Sequence, residues 1–99
     1  MAIYVNLPTL TDAGRKTLRD NPMRIKEVNK ELEKKGIKLL HQYALLGTHD
    51  FINIIEAPDN EAVFRFTTEQ GSRGTHYSMP MPAIDVDAFI ESMKTQQNV

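Results

Sequence analysis

Cysteine is absent from this chain of 99 residues. There is therefore no disulfide framework, no thiolate nucleophile and no thiolate metal ligand. No stretch approaches the roughly 18 consecutive apolar residues of a membrane span. The opening residues, MAIYVNLPTLTD, lack the basic region and long apolar run of a secretory signal, so a cytoplasmic location and no membrane partner are expected. The Gly-x-x-x-x-Gly-Lys pattern and any Gly-rich strand-to-helix fingerprint are also missing, which leaves no case for nucleotide binding. With 12 basic and 13 acidic side chains the net charge is −1, so the chain has no excess charge to hold a phosphate backbone.

What is present is ordinary for a soluble globular protein: 40% hydrophobic and 25% charged residues. The length suits one domain with a thin core, and a small domain without covalent staples gains stability by assembling with copies of itself. The near-zero charge conceals two halves. Residues 15–38 hold nine basic and four acidic side chains, a net +5, and the remainder holds three and nine, a net −6. Such a run reads first as a solvated helix face and second as a positive surface for an anion or an acidic patch on another subunit.

Residues 3–7 alternate apolar and polar side chains and predict a first strand. Pro8 ends it, Thr9 or Thr11 can cap a helix, and that helix is expected over about residues 12–19. Asn21-Pro22 predicts a second helix start, with Ile25, Val28 and Leu32 as its buried stripe and Gly36 as its C-terminal cap. Residues 37–46 read as a strand carrying Ile37, Leu39, His41, Tyr43 and Leu45 on one face, by strict alternation. A turn at residues 47–50 leads to a strand over 51–56. Asp59 then caps a helix reaching about Gln70, with Ala62, Val63 and Phe66 inward. A last strand is expected over residues 75–81, with Pro80 and Pro82 marking an edge or exit. Asp85 caps a final helix with Val86, Phe89, Ile90 and Met93 on one stripe. The whole predicts one α+β domain over residues 1–94 and a fraying tail over 95–99. Its order, βαββαβ with an extra C-terminal helix, is that of the ferredoxin-like plan, which leaves one sheet face uncovered.

Two stretches carry a family resemblance: Leu46-Gly47-Thr48-His49-Asp50-Phe51 and Glu56-Ala57-Pro58-Asp59-Asn60-Glu61-Ala62. With Thr11-Asp12-x-Gly14, Pro22-x-Arg24 and Gly74-Thr75, they resemble the pattern of the GYD-domain family from Tyr4 to about Phe89. The family's naming Gly-Tyr-Asp turn corresponds to Gly47, His49 and Asp50, with His49 in place of Tyr, so no tyrosine-dependent role of the turn carries over. The resemblance implies a small cytoplasmic domain of the dimeric α+β barrel kind and assigns no reaction.

Polar side chains inside apolar strands mark the candidate ligand-binding residues: Tyr4, Asn6, His41, Tyr43, Asn53 and His76. Asn is poor in strands, and a buried Asn costs free energy unless it is bonded, so Asn6 and Asn53 bond locally, meet a subunit or hold a ligand. The spacing of the three histidines matches no metal site, so no metal or other cofactor is expected. Arg15, Arg19 and Arg24, near the helix break, form a candidate anion site. No group of residues has the arrangement of an activated nucleophile, and no catalytic residue is assigned.

These features favour a homo-oligomeric small-ligand-binding or regulatory domain over an enzyme. A second reading is a cofactor-independent oxygenase or isomerase using a His and a Tyr as acid and base. A third and weaker one is an RNA-binding module, suggested by the first-strand sequence IYVNL. Against it, the strand over residues 51–56 has one aromatic residue and none of the required stacking pairs. Nucleic acid is therefore not an expected partner.

Overall fold

The computed structural model describes residues 1–97. Its strands and helices run β1 (Ala2–Asn6), β2 (Thr9–Leu10), α1 (Asp12–Asp20), α2 (Arg24–Lys34) and β3 (Lys38–Ala44). There follow β4 (Phe51–Ala57), α3 (Asn60–Gly71), β5 (His76–Tyr77), β6 (Pro80–Ala83) and α4 (Val86–Gln97). The chain is an α+β domain. Its main sheet is antiparallel with order β3-β4-β1-β6, and β2 and β5 form a separate two-stranded sheet. Residues 98 and 99, the end of the expected tail, lie outside the described residues.

Local chemistry explains most element ends. Thr11 caps α1 by accepting from the Gly14 amide at 3.1 Å, and Asp59 caps α3 by accepting from Ala62 at 2.9 Å. Asp85 accepts from the Asp87 and Ala88 amides at the start of α4. Gly36, at φ 78°, turns the chain out of α2 while the Ile37 amide donates back to the Leu32 carbonyl at 3.1 Å.

One helix start departs from expectation. Asn21 closes α1, its amide donating to Thr17 O at 2.8 Å, and its own carbonyl accepts from Arg24 at 3.1 Å. A single turn therefore links the helices, and α2 begins at Arg24 without a side-chain cap.

Strict alternation also fails in β3. Leu39 stands opposite Ile55 but His41 stands opposite Ile54, so Leu40 is an extra residue. This bulge turns every later side chain to the other face. Leu39 and Gln42 thus share the helix-covered face, while His41 and Tyr43 share the open one.

The expected last strand is two strands. Residues 76–77 leave the main sheet to pair with β2, and the chain returns to β1 as β6. β6 lies at the sheet edge, where Pro80 and Pro82 need no second ladder partner.

The apolar core occupies one end of the covered face. Tyr4, Ile55 and Ala57 from the sheet pack with Ile37, Leu32 of α2, and Val63 and Phe66 of α3. Burying Phe66 alone contributes about 1.5–3 kcal/mol. At the other end of the same face the helices stand off the sheet, and a cavity opens.

α4 is different. It makes no more than marginal contact with any other element, and Phe89 on its apolar stripe is 51% exposed. The radius of gyration, 15.7 Å, exceeds the roughly 13 Å of a compact chain of about 100 residues, as a projecting helix requires. Among the described residues no helix is long and apolar enough to cross a membrane.

Candidate functional site

The cavity measures about 230 Å³ and lies between the sheet and α1, α2 and α3. Its floor is a row of three carboxamides. Register places Gln42 of β3 opposite Asn53 of β4, and Asn53 opposite Asn6 of β1. Gln42 is satisfied: it donates to Asn29 Oδ1 at 3.2 Å and accepts from Asn29 Nδ2 at 2.9 Å, tying α2 to β3. Asn6 is 2% exposed and Asn53 8% exposed, and the Oδ1 of each has no hydrogen-bond partner. Asn6 Nδ2 donates to Ser78 Oγ at 3.5 Å.

The walls are mostly apolar, from Leu10, Leu18, Ile25, Val28, Phe51, Ile55 and Phe66. One wall depends on Gly14. A Cβ there would stand 1.9 Å from the Thr75 carbonyl oxygen, so only glycine lets α1 lie against the backbone of Thr75. Thr11 reinforces the contact, its amide donating to Thr75 O at 3.0 Å and its hydroxyl to Gly74 O at 2.7 Å.

Charge enters from one side. Arg24 and Arg73 line the cavity, and no lining side chain among the described residues is acidic. Both arginines are engaged. Arg73 Nη1 donates to Glu31 at 2.6 Å, and Arg24 Nη1 lies 3.0 Å from Glu27 and 3.7 Å from Glu31. The Arg73 hydrogen bond, with the charges of Arg73, Arg24 and Lys35, holds the Glu31 carboxyl below its ordinary range although burial opposes it. His76 sits in the wall with Nε2 3.2 Å from Gln70 Oε1 and Nδ1 3.4 Å from Thr75 Oγ1. Burial and then the charge of Arg73 push its pKa down, so it is favoured as neutral imidazole.

Of the six ligand residues expected from sequence, Asn6, Asn53 and His76 line this cavity. Tyr4 belongs to the neighbouring core, and its hydroxyl donates to Asn60 Oδ1 at 2.5 Å. His41 and Tyr43 are exposed on the opposite face, moved there by the Leu40 bulge. Gln42, Gln70 and Arg73 line the cavity without having stood out in the sequence. Only the bulge puts Gln42 on this face.

The three arginines of the expected anion site do not converge on a free site. Arg15 lies 3.8 Å from Asp50, Arg19 lies 3.2 Å from Asp20, and Arg24 is the cavity residue just described. Part of the charge asymmetry is met inside the chain, since Arg15 meets Asp50 and Lys35 meets Glu69 at 2.5 Å. Among the described residues no group of three His, Cys, Asp or Glu side chains could hold a metal ion.

The turn formed by Gly47, His49 and Asp50 clamps β2. Asp50 Oδ2 accepts from the Leu10 amide at 2.7 Å, its own amide donates to Pro8 O at 3.1 Å, and His49 Nδ1 lies 3.0 Å from Thr9 Oγ1. Gly47 at φ 139° permits the reversal.

The chain is 45% identical over 95 residues to the glutamine synthetase and cystathionine beta-lyase binding protein of Thermus thermophilus. That alignment covers 95% of this chain and 100% of the relative. No solved structure matches this chain. The GYD domain family model matches residues 4–93, and the chain belongs to that family.

Proposed function

We propose that this protein is a homo-oligomeric regulatory binding protein that docks onto enzymes and carries a small-molecule site of its own. The observation that carries the reading is α4, an apolar-striped helix that stands off its own domain with Val86, Phe89, Ile90 and Met93 exposed. A second apolar surface supports it. Register puts Ile3, Val5, Ile52, Ile54 and Met81 together on the sheet face opposite the helices. The sheet order β3-β4-β1-β6 with helices on one face supports the ferredoxin-like plan. A second copy laid on the open face would complete a dimeric α+β barrel. The name of the Thermus relative, a glutamine synthetase and cystathionine beta-lyase binding protein, supports enzyme partners. A cytoplasmic location belongs to this reading.

Light scattering after size exclusion tests the assembly. The wild type is expected at a multiple of the 11.3 kDa chain mass, and Phe89→Glu with Ile90→Glu at a smaller mass with unchanged circular dichroism. A wild-type monomer at micromolar concentration would sink the oligomer. Binding to immobilised glutamine synthetase and cystathionine beta-lyase tests the partners, and no association with either would remove them.

A further inference from the structure

We infer that the cavity is a site for a small apolar molecule, a hydrocarbon-like body of one or two rings that brings no charge and needs no hydrogen bond. The inference rests on the small-ligand part of the reading above and names its class. Its first support is a group of apolar side chains with nothing to pack on. Leu18 of α1, Ile25 and Val28 of α2, Leu10 of β2 and Phe51 of β4 line the cavity, and all five remain part-exposed. At the neighbouring end of the same face Leu32, Ile55 and Phe66 belong to the buried core. The difference lies in the sheet. At the core it meets the helices with Tyr4, Ile55 and Ala57, and beneath the cavity it meets them with Asn6, Gln42 and Asn53. Apolar surface left facing an open space is what a ligand of the same character removes from water.

The polar groups around this space are engaged with one another. Gln42 and Asn29 satisfy each other. Arg24 and Arg73 are paired with Glu27 and Glu31. Gln70 Oε1 lies 3.2 Å from His76 Nε2. The Oδ1 atoms of Asn6 and Asn53 each expose less than 1 Å², so they are closed to the cavity. A polar or charged guest therefore gives up its hydration and gains little in return. Volume sets the size. A cavity of about 150 Å³ lined by Leu, Ile and Phe side chains takes up benzene. The space of about 230 Å³ here has room for one ring with a short alkyl chain or for two fused rings.

The experiment uses three probes built on one ring and rising in polarity: toluene, benzamide and benzoate. Each is titrated to millimolar concentration into the full-length, isotope-labelled protein, followed by amide and methyl resonances. Toluene is expected to shift the methyl signals of Leu18, Ile25 and Val28 and to saturate, with benzamide and benzoate binding at least about tenfold more weakly. Val28→Phe, which fills the cavity from α2, is expected to abolish the shifts. Leu18→Gln, which makes a part-exposed wall side chain polar at similar size, is expected to weaken toluene at least about fivefold, and it decides alone if Val28→Phe does not fold. Toluene shifts that survive the variants unchanged, or that fall only on the open sheet face or the stripe of α4, would overturn the site. Benzamide or benzoate binding in the cavity as tightly as toluene would overturn the apolar class and keep the small-ligand site. No shift with any probe would overturn both the class and that part of the reading.

Discussion

Asn6 and Asn53 stand directly opposite each other on β1 and β4, buried, each with its side-chain carbonyl oxygen unpaired. Native interiors rarely leave such groups unserved, and two in register are rarer still. The arrangement has a stability consequence that needs no ligand.

Asn53→Leu removes one unpaired acceptor and adds apolar atoms to a cavity that Ile55 and Phe66 also line. The expected result is a gain of about 1 kcal/mol in unfolding free energy, read from urea denaturation without ligand. A loss of that size would show that the Asn53 side chain holds β4 in place.

Gly14→Ala sets two effects against each other. Alanine favours a helix interior by about 1 kcal/mol, but its Cβ would meet the Thr75 carbonyl at 1.9 Å, and backbone cannot give way cheaply. Overpacking of this kind costs about 1–3 kcal/mol or more, so a net loss is expected, seen as a fall in Tm of several degrees. Gly71→Ala is the control, because nothing lies within 4 Å of its Cβ position and its φ is not positive. A Tm for Gly14→Ala equal to that of the control would show that α1 can lift from Thr75 freely.

The turn at residues 47–50 predicts unequal roles. His49 bonds one part-buried side chain, Thr9, so His49→Tyr should change stability by less than about 1 kcal/mol. Asp50 serves the Leu10 amide through a carboxylate, so Asp50→Ala should cost about 1.5–3 kcal/mol. Thermal or urea unfolding of the two variants decides this, and a reversed order would put the clamp on His49.

Acid should weaken the fold in two separable windows. His76 has a folded pKa below its ordinary 6.5, because burial and Arg73 disfavour the charged ring. Between those two values the unfolded chain binds more protons than the folded one, so stability rises with pH there. Its contribution is intact above 6.5 and is lost as pH falls through the folded value. Glu31, also lowered, acts the same way below its ordinary 4.5. His76→Gln should flatten the upper window and leave the lower one, measured as unfolding free energy against pH. An unchanged upper window would mean that His76 is not the group responsible.

Much of the fold was legible because it depends on neighbours in sequence. Thr11, Asp59 and Asp85 bond amides two or three residues on, and Gly36 reverses the chain by itself, so these element ends could be read from residue type. The motif residues were legible as a pattern, but their work was not. Gly14 meets Thr75, Asp50 meets Leu10 and Asn60 meets Tyr4 across distances in sequence that no spacing reveals. The candidate site was half legible. Asn6, Asn53 and His76 were noticed because polar groups are costly in apolar strands. His41 and Tyr43 stand out by the same rule, but the Leu40 bulge turns them to the opposite face.

Local propensity and hydrophobic period thus determined the order of strands and helices, their caps and the absence of thiol chemistry. Tertiary structure decided which residues meet. The Leu40 bulge depends on how β3 pairs with β4, and it alone sends Gln42 inward and His41 outward. The division of the last strand depends on β2 offering β5 a separate partner. The exposure of α4 depends on whether any surface of its own chain receives it, and none does so extensively. Pairing and packing are relations between distant segments, so their energies exist only once the chain has brought those segments together.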